Sequence, residues 1–351
     1  MPAGKYMPIF LTFFFMLMVL HGQGIQCSAF VDTTDGTKLA KNLDWILGNG
    51  MVIYNPASEE KGSITCPDKG RIWTSKYSSV TFNHLGNNMP LGGMNEAGLV
   101  VEELSTWPAE YPSENLKCLN ELEWIQYQLD SFGSVGEVIK NIGTTDIEKF
   151  IFGLHYIIAD KEGGSVVIEF IKGEPKIYTG ADLPVPAVTN NNYDELLKYY
   201  RMYNEENLEI HDVENSQDRF VKLAQLIKTN AGNSKGINCN DMLNILNSVW
   251  VKDTRWSIVY DTERLEIQFK TDLNDSPQKI CFRDFERTRQ KIYSGFYHED
   301  SLKFKKMNNE ENFIYLLDLR HDILETDPDD ESGMAQKIEI LINGLSGKEL
   351  K

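Results

Sequence analysis

The stretch from residue 27 to residue 45 constrains the fold more than any other part of the chain. Residues 28–34 are β-branched and apolar, Asp35-Gly36 offers the two φ > 0 positions of a tight turn, and residues 37–45 return. A β-hairpin is therefore predicted to begin at Cys27. Further strands are predicted at 51–64, 77–82 and 99–104, the last leaving a turn-rich loop at 87–98. A second hairpin is expected from 153–159 and 165–170, with another strand near 175–178. Strands at 256–261, 264–270 and 280–285 complete the series. Helical periodicity covers 116–129, a capping box at Ser134-Val135-Gly136-Glu137 opens a helix through Ile142, and further helices follow the Asn-rich loop 189–193 and at 218–227 and 239–249. Adjacent antiparallel strands with helices collected between them mean α+β, and disfavour a parallel doubly wound sheet.

What lies before Cys27 is of another kind. Residues 7–20 form an apolar run of 14 behind the lone Lys5, too short for a comfortable membrane span and suited to a secretory h-region. Residues 1–26 are thus expected to be a cleaved signal peptide, and the protein to be secreted, periplasmic or extracellular. Gln26 is atypical just before a cut, so cleavage after Gly24 with later trimming of Ile25-Gln26 is the alternative. The net charge of −17 becomes −18 when Lys5 is subtracted, which argues against nucleic acid or an anionic membrane surface as partner. The tail from residue 301 is Lys-, Asn- and Glu-rich and carries amphipathic segments at 313–324 and 334–345. It reads as a helical C-terminal extension, largely a solvated charged one, beyond a domain spanning 27–300.

Five cysteines make an odd number: Cys27, Cys66, Cys118, Cys239 and Cys281. In an oxidising compartment the last four allow three pairings and leave one thiol over. If the leader is cut just before Cys27, that residue carries both a thiol and a free α-amine, a nucleophile with its own base. The amine, of ordinary pKa about 7.7–8.0, needs only a small downward shift to act as a base at neutral pH. Hairpin geometry brings Asp44 back beside Cys27, where a carboxylate can hold the amine. Lys41 can place positive charge near the sulfur. Read from residue type alone, both are equally well ordinary strand-end charges. The six histidines sit in no Cys–His motif, which weakens a papain-like protease as the alternative.

Several blocks then resemble one family, in its order and spacing over roughly residues 27–285. They are Cys27 after a leader, Lys41-Asn42-Leu43-Asp44-Trp45, Gly93-Met94-Asn95-Glu96-Ala97-Gly98-Leu99, Leu154-His155-Tyr156, Val188-Thr189-Asn190, Asp218-Arg219-Phe220 and Thr254-Arg255-Trp256-Ser257. The chain is similar to the choloylglycine hydrolase and penicillin V acylase family, N-terminal nucleophile (Ntn) hydrolases of linear amides. The resemblance implies a four-layer αββα sandwich of two antiparallel sheets, and no metal or organic cofactor. It implies Cys27 as nucleophile, Asp44 as the amine's partner, Asn190 in the oxyanion hole and Arg219 as the buried cation that organises the site. Lys41 stands where many members have Arg, and Ser105 where bile-salt-cleaving members have Asn, so both are supporting residues. Trp45 and Trp107 suggest an aromatic wall for an apolar acyl group, unless they are core. The expected partner is a small acyl amide, with a homo-oligomer left open. A secreted binding protein on the same fold is the non-enzymatic alternative.

Overall fold

The computed structural model describes residues 26–349 apart from 67, 207–209, 211–212, 232–235, 300 and 331. The predicted leader, except Gln26, lies outside the described residues. The hairpin forms as β1 (Gln26–Asp32) and β2 (Lys38–Asp44), in register from Gln26 opposite Asp44 to Asp32 opposite Lys38. Alternation puts Cys27, Ala29 and Val31 on one face with Leu43, Lys41 and Leu39, and Gln26, Ser28 and Phe30 on the other with Asp44, Asn42 and Ala40. The connection corrects the expected tight turn. Five residues, 33–37, join the strands, and only Gly36 has a positive φ, +70°. A Cβ there would meet the Glu263 carboxyl at 2.7 Å.

Six antiparallel strands make the first sheet, in the order β14 (Ala187–Val188), β1, β2, β15 (Thr254–Asp261), β16 (Glu266–Thr271) and β17 (Gln278–Cys281). Nine make the second: β13 (Glu174–Thr179), β12 (Ser165–Ile171), β11 (Leu154–Ala159), β8 (Val100–Ser105), β7 (Pro90–Asn95), β6 (Ser79–Asn83), β3 (Met51–Asn55), β18 (Ile292–Gly295) and β19 (Lys305–Lys306). Two short pairs lie outside them, β4 (Glu60–Gly62) with β5 (Ile72–Thr74) and β9 (Cys118–Asn120) with β10 (Asp146–Glu148). β1 packs face to face on β8 and β11 across the gap between sheets. Outside the second sheet lies α1 (Glu121–Ser131), on β7 and β8, followed by α2 (Val135–Asn141). Outside the first lie α4 (Ser216–Asn230) and α5 (Cys239–Ser248), with α3 (Tyr193–Glu206) against α4. This is the expected αββα sandwich, its core held between two sheets whose central strands, such as β2, β7 and β11, are buried on both faces.

Three local readings change. The turn-rich loop 87–98 contains β7, a fully buried strand. Its glycines answer close approach rather than a left-handed backbone: a Cβ at Gly92 would sit 2.1 Å from the Glu102 carboxyl carbon, and one at Gly93 2.5 Å from the Val80 carbonyl. The helix expected from 116 starts at Glu121 instead. Asn120 caps it, accepting from Leu122 N at 2.8 Å and Glu123 N at 2.7 Å, while Glu123 reaches back to Asn120 N. The C-terminal stretch folds as α6 (Asn309–Thr326) and α7 (Met334–Glu349), which pack on each other and bury Leu316, Leu319, Ile323 and Ile338. Asn312 and Tyr315 of α6 bind the backbone of Asn87 and His84, so this segment is joined to the loop after β6. Cys66 and Cys118 form a disulfide, and Cys27, Cys239 and Cys281 remain buried thiols.

Candidate active site

Cys27 lies at the start of β1, fully buried, with Gln26 still attached. β14 pairs with β1 at Ala29–Val188, so continuing that register brings Asn190 alongside Cys27. The Cys27 backbone N–H donates to Asn190 Oδ1 at 3.0 Å, and Arg219 donates to the same oxygen at 2.8 Å. Two donors on one atom fix the orientation of the amide. Its Nδ2 points to the Ser105 carbonyl, 2.9 Å away. Thr189 and Asn190 are in turn tied to Ser216, the first residue of α4, at 2.9 Å each.

Arg219 is one turn into that helix and wholly buried. Its Nε donates to Ser28 Oγ at 3.0 Å, and a second nitrogen reaches the Val213 and Glu214 carbonyls at 3.1 Å and Gln26 Oε1 at 3.4 Å. The guanidinium thus spans the helix-facing side of β1, on both sides of the Gln26–Cys27 bond.

Asp44 ends β2 on the same side, directly across from Gln26. Thr254 of β15 donates to its Oδ1 at 2.6 Å, whereas Oδ2 is buried without a hydrogen-bond partner. Burial pushes the carboxyl up to about 6, against the pull of Arg219 and Thr254. A β-bulge between Thr254 and Trp256 releases Arg255 to bond the carbonyls of Trp45 and Ile46, fixing the chain as it leaves Asp44.

On the opposite, intersheet face, burial raises the Cys27 thiol well above its ordinary range. Lys41 pulls it down, while Glu103 and Asp44 push it up. Lys41 binds Glu102 at 2.9 Å and Glu103 at 2.8 Å. Burial disfavours its charge, but the two carboxylates outweigh that and hold the ammonium protonated. Among the described residues no histidine ring bonds Cys27: His84 binds the Asn49 carbonyl and His155 binds Glu169. One cluster there has metal-type donors, Cys66, Cys118 and Glu148, and both of its sulfurs are held in the disulfide.

A sequence model of the linear amide C–N hydrolases, choloylglycine hydrolase family, matches residues 27–263. The chain belongs to this family. It is 26% identical over 228 residues to a penicillin V acylase of Pectobacterium atrosepticum, a match covering 58% of this chain and 60% of that relative. Among solved structures it is similar to penicillin V acylase from Agrobacterium tumefaciens, with TM-score 0.67 at 22% identity over 80% of this chain and 98% of the other. A conjugated bile acid hydrolase variant from Clostridium perfringens gives TM-score 0.65 at 17% identity, over 80% and 100%. At these identities the likeness establishes the Ntn-hydrolase fold.

Cys27, Asp44, Asn190 and Arg219, predicted from separate blocks, therefore meet at one strand end. Ser105 joins them through its backbone carbonyl rather than its side chain. The two tryptophans do not make one wall. Trp45 is buried, 4.3 Å from the His84 ring and edge-on to Phe152, whereas Trp107 is 77% exposed with Lys149 over its ring. Sequence reasoning passed over Thr254, although it opens a block already singled out, and over Ser28. It also missed Glu102 and Glu103, whose signal was an acidic pair inside an otherwise apolar strand.

Proposed function

We propose that the chain is an N-terminal-cysteine amidase. Export and trimming would remove residues 1–26, leaving Cys27 with a free α-amine, and the mature enzyme would hydrolyse linear amides with an apolar acyl group. The observation that supports this most is the bare Oδ2 of Asp44. A buried carboxylate oxygen without a partner is costly. Gln26 is the register partner of Asp44, so its removal opens the position across from that oxygen and leaves an amine N–H donor beside it. Arg219 and Asn190, already bonded on either side of the Gln26–Cys27 link, would hold the new terminus.

In the first step the Cys27 thiol gives its proton to the α-amine while sulfur bonds the acyl carbon and the carbonyl electrons move to oxygen. Asn190, aligned by Arg219, donates from Nδ2 to that oxyanion. Collapse breaks the C–N bond, the ammonium returns its proton to the leaving nitrogen, and a thioester remains. Water, deprotonated by the amine, then releases the acid. The names of the relatives, penicillin V acylase and conjugated bile acid hydrolase, support small acyl amides as the substrate class. Turnover of a panel of aryl-acetyl, fatty-acyl and steroid-acyl amides by the processed chain tests this. Cys27→Ala should abolish it and preserve the circular dichroism spectrum. Residual turnover above about 1% of wild type would refute it, being more than the ~10²-fold that loss of one auxiliary group leaves behind.

A further inference from the structure

Lys41 and Cys27 occupy diagonal positions on one face of the hairpin, since Lys41 pairs with Ala29 and Leu43 with Cys27. The Lys41 ammonium is fixed at two points by successive residues of β8, 2.9 Å from Glu102 and 2.8 Å from Glu103, and all three side chains are at most 2% exposed. The Tyr260 hydroxyl donates to Glu102, whose carboxylate fills the space over Gly92 that a Cβ would occupy. Glu103 uses one oxygen on Lys41, and its Oε2 is buried without a hydrogen-bond partner. Two acids thus share one ammonium, and burial pushes the Glu102 carboxyl above its ordinary range against the pull of Lys41 and Tyr260. Buried ion clusters seldom gain stability over apolar packing. A lysine also lacks the planar fork with which an arginine holds two contacts at once; here the two-point hold comes from the acids instead.

Resting on Cys27 as the nucleophile, we propose that Glu102 and Glu103 are positioning residues of the hydrolytic site: they anchor the Lys41 ammonium beside the sulfur, and Glu103 offsets part of that ammonium's charge there. The charged groups that act on the sulfur are Lys41 of β2 and Glu103 of β8 on its own face and Asp44 from the other face of β2, and Arg219 from α4 acts on Asp44. Tyr111 and Tyr156 lie against Glu103 and stay protonated, because burial raises both hydroxyls. The thiol form suits the proposed reaction, in which the sulfur's proton passes to the amine as the C–S bond forms.

The test is the pH dependence of Cys27 alkylation by iodoacetamide in the processed enzyme, read by mass spectrometry on the N-terminal peptide, beside the pH profile of kcat/KM. In Glu103→Gln the amide keeps an acceptor for Lys41 and only a charge is lost, so the alkylation midpoint should fall by about one pH unit. Lys41→Met should raise it by a similar amount, and Glu103→Asp should restore the wild-type profile. Wild-type midpoints retained in both Glu103→Gln and Lys41→Met would overturn the proposal, even if those variants are less stable. The wild-type enzyme gives a test that needs no variant: reactivity should still rise towards the ordinary thiol range of about pH 8.5. A rate already flat between about pH 6 and pH 8, the mark of a preformed thiolate, would overturn it. These readouts follow the sulfur without substrate, so they separate from the Cys27→Ala assay: turnover surviving there defeats the nucleophile itself, whereas unmoved midpoints defeat only the role of the acids.

Discussion

Asp44→Asn in the uncut chain isolates the strain that processing is proposed to relieve. Both chains are produced without export, so that no amine is released. In the folded uncut chain the Asp44 carboxyl is pushed from 3.8 up to about 6 by burial. An acid whose folded value is raised binds its proton more tightly when folded. Its favourable contribution is therefore complete below about pH 4 and is lost as pH climbs through about 6. The whole shift corresponds to about 3 kcal/mol at neutral pH. The neutral amide has no such dependence. It keeps an acceptor for Thr254, which donates to Asp44 at 2.6 Å. Urea unfolding of both chains from pH 4 to pH 8 should show the Asp44 chain losing about 3 kcal/mol relative to the Asp44→Asn chain across that window. Parallel curves would refute the reasoning, because every other titrating group is common to the two.

Three further outcomes rest on the same geometry. Arg219→Leu removes the cation that lowers Asp44 and the donor that orients Asn190, and should cut kcat/KM by about 100-fold in initial-rate assays on folded protein. Replacing Cys66 and Cys118 with Ser opens a loop of sequence separation 52 and should cost about 4 kcal/mol in denaturant unfolding under oxidising conditions. The tryptophans should separate by their burial in thermal and urea unfolding: Trp45→Ala should destabilise by about 3–5 kcal/mol, and Trp107→Ala should stay within about 0.5 kcal/mol of wild type.

The hairpin was legible from its apolar run and the Asp35-Gly36 signal, but its register was not: a two-residue turn there would pair Cys27 with Asp44, whereas the five-residue connection sets Leu43 opposite Cys27. That slip of one residue puts Lys41 on the face of Cys27 and turns Asp44 to the other face, opposite Gln26, so the sequence carried the residues of the site but not their sides. β7 was misread because its glycines look like turn residues. What requires them is a carboxylate and a carbonyl from neighbouring strands, information held 10 residues away at Glu102 and 13 away at Val80. α1 was placed too early since residues 116–120 share the helical periodicity of residues 121–129, and only the Asn120 cap marks the true start. The direction of the Asn190 amide was beyond reach as well. It depends on Arg219, from a helix 29 residues later, and on the Ser105 carbonyl from the other sheet. Backbone groups such as that carbonyl leave no mark on the side-chain sequence.

The central claim is that the sulfur of Cys27 and the nitrogen of the same residue do the chemistry together, which requires that the Gln26–Cys27 bond be broken first. Intact-mass and peptide mass spectrometry of active enzyme, quenched in acid during turnover of a slow acyl amide, measures both at once. The account predicts a chain beginning at Cys27, with one acyl group attached to its N-terminal peptide in a hydroxylamine-sensitive linkage. Turnover by a chain that retains Gln26, or an acyl group found on any other peptide, would contradict it.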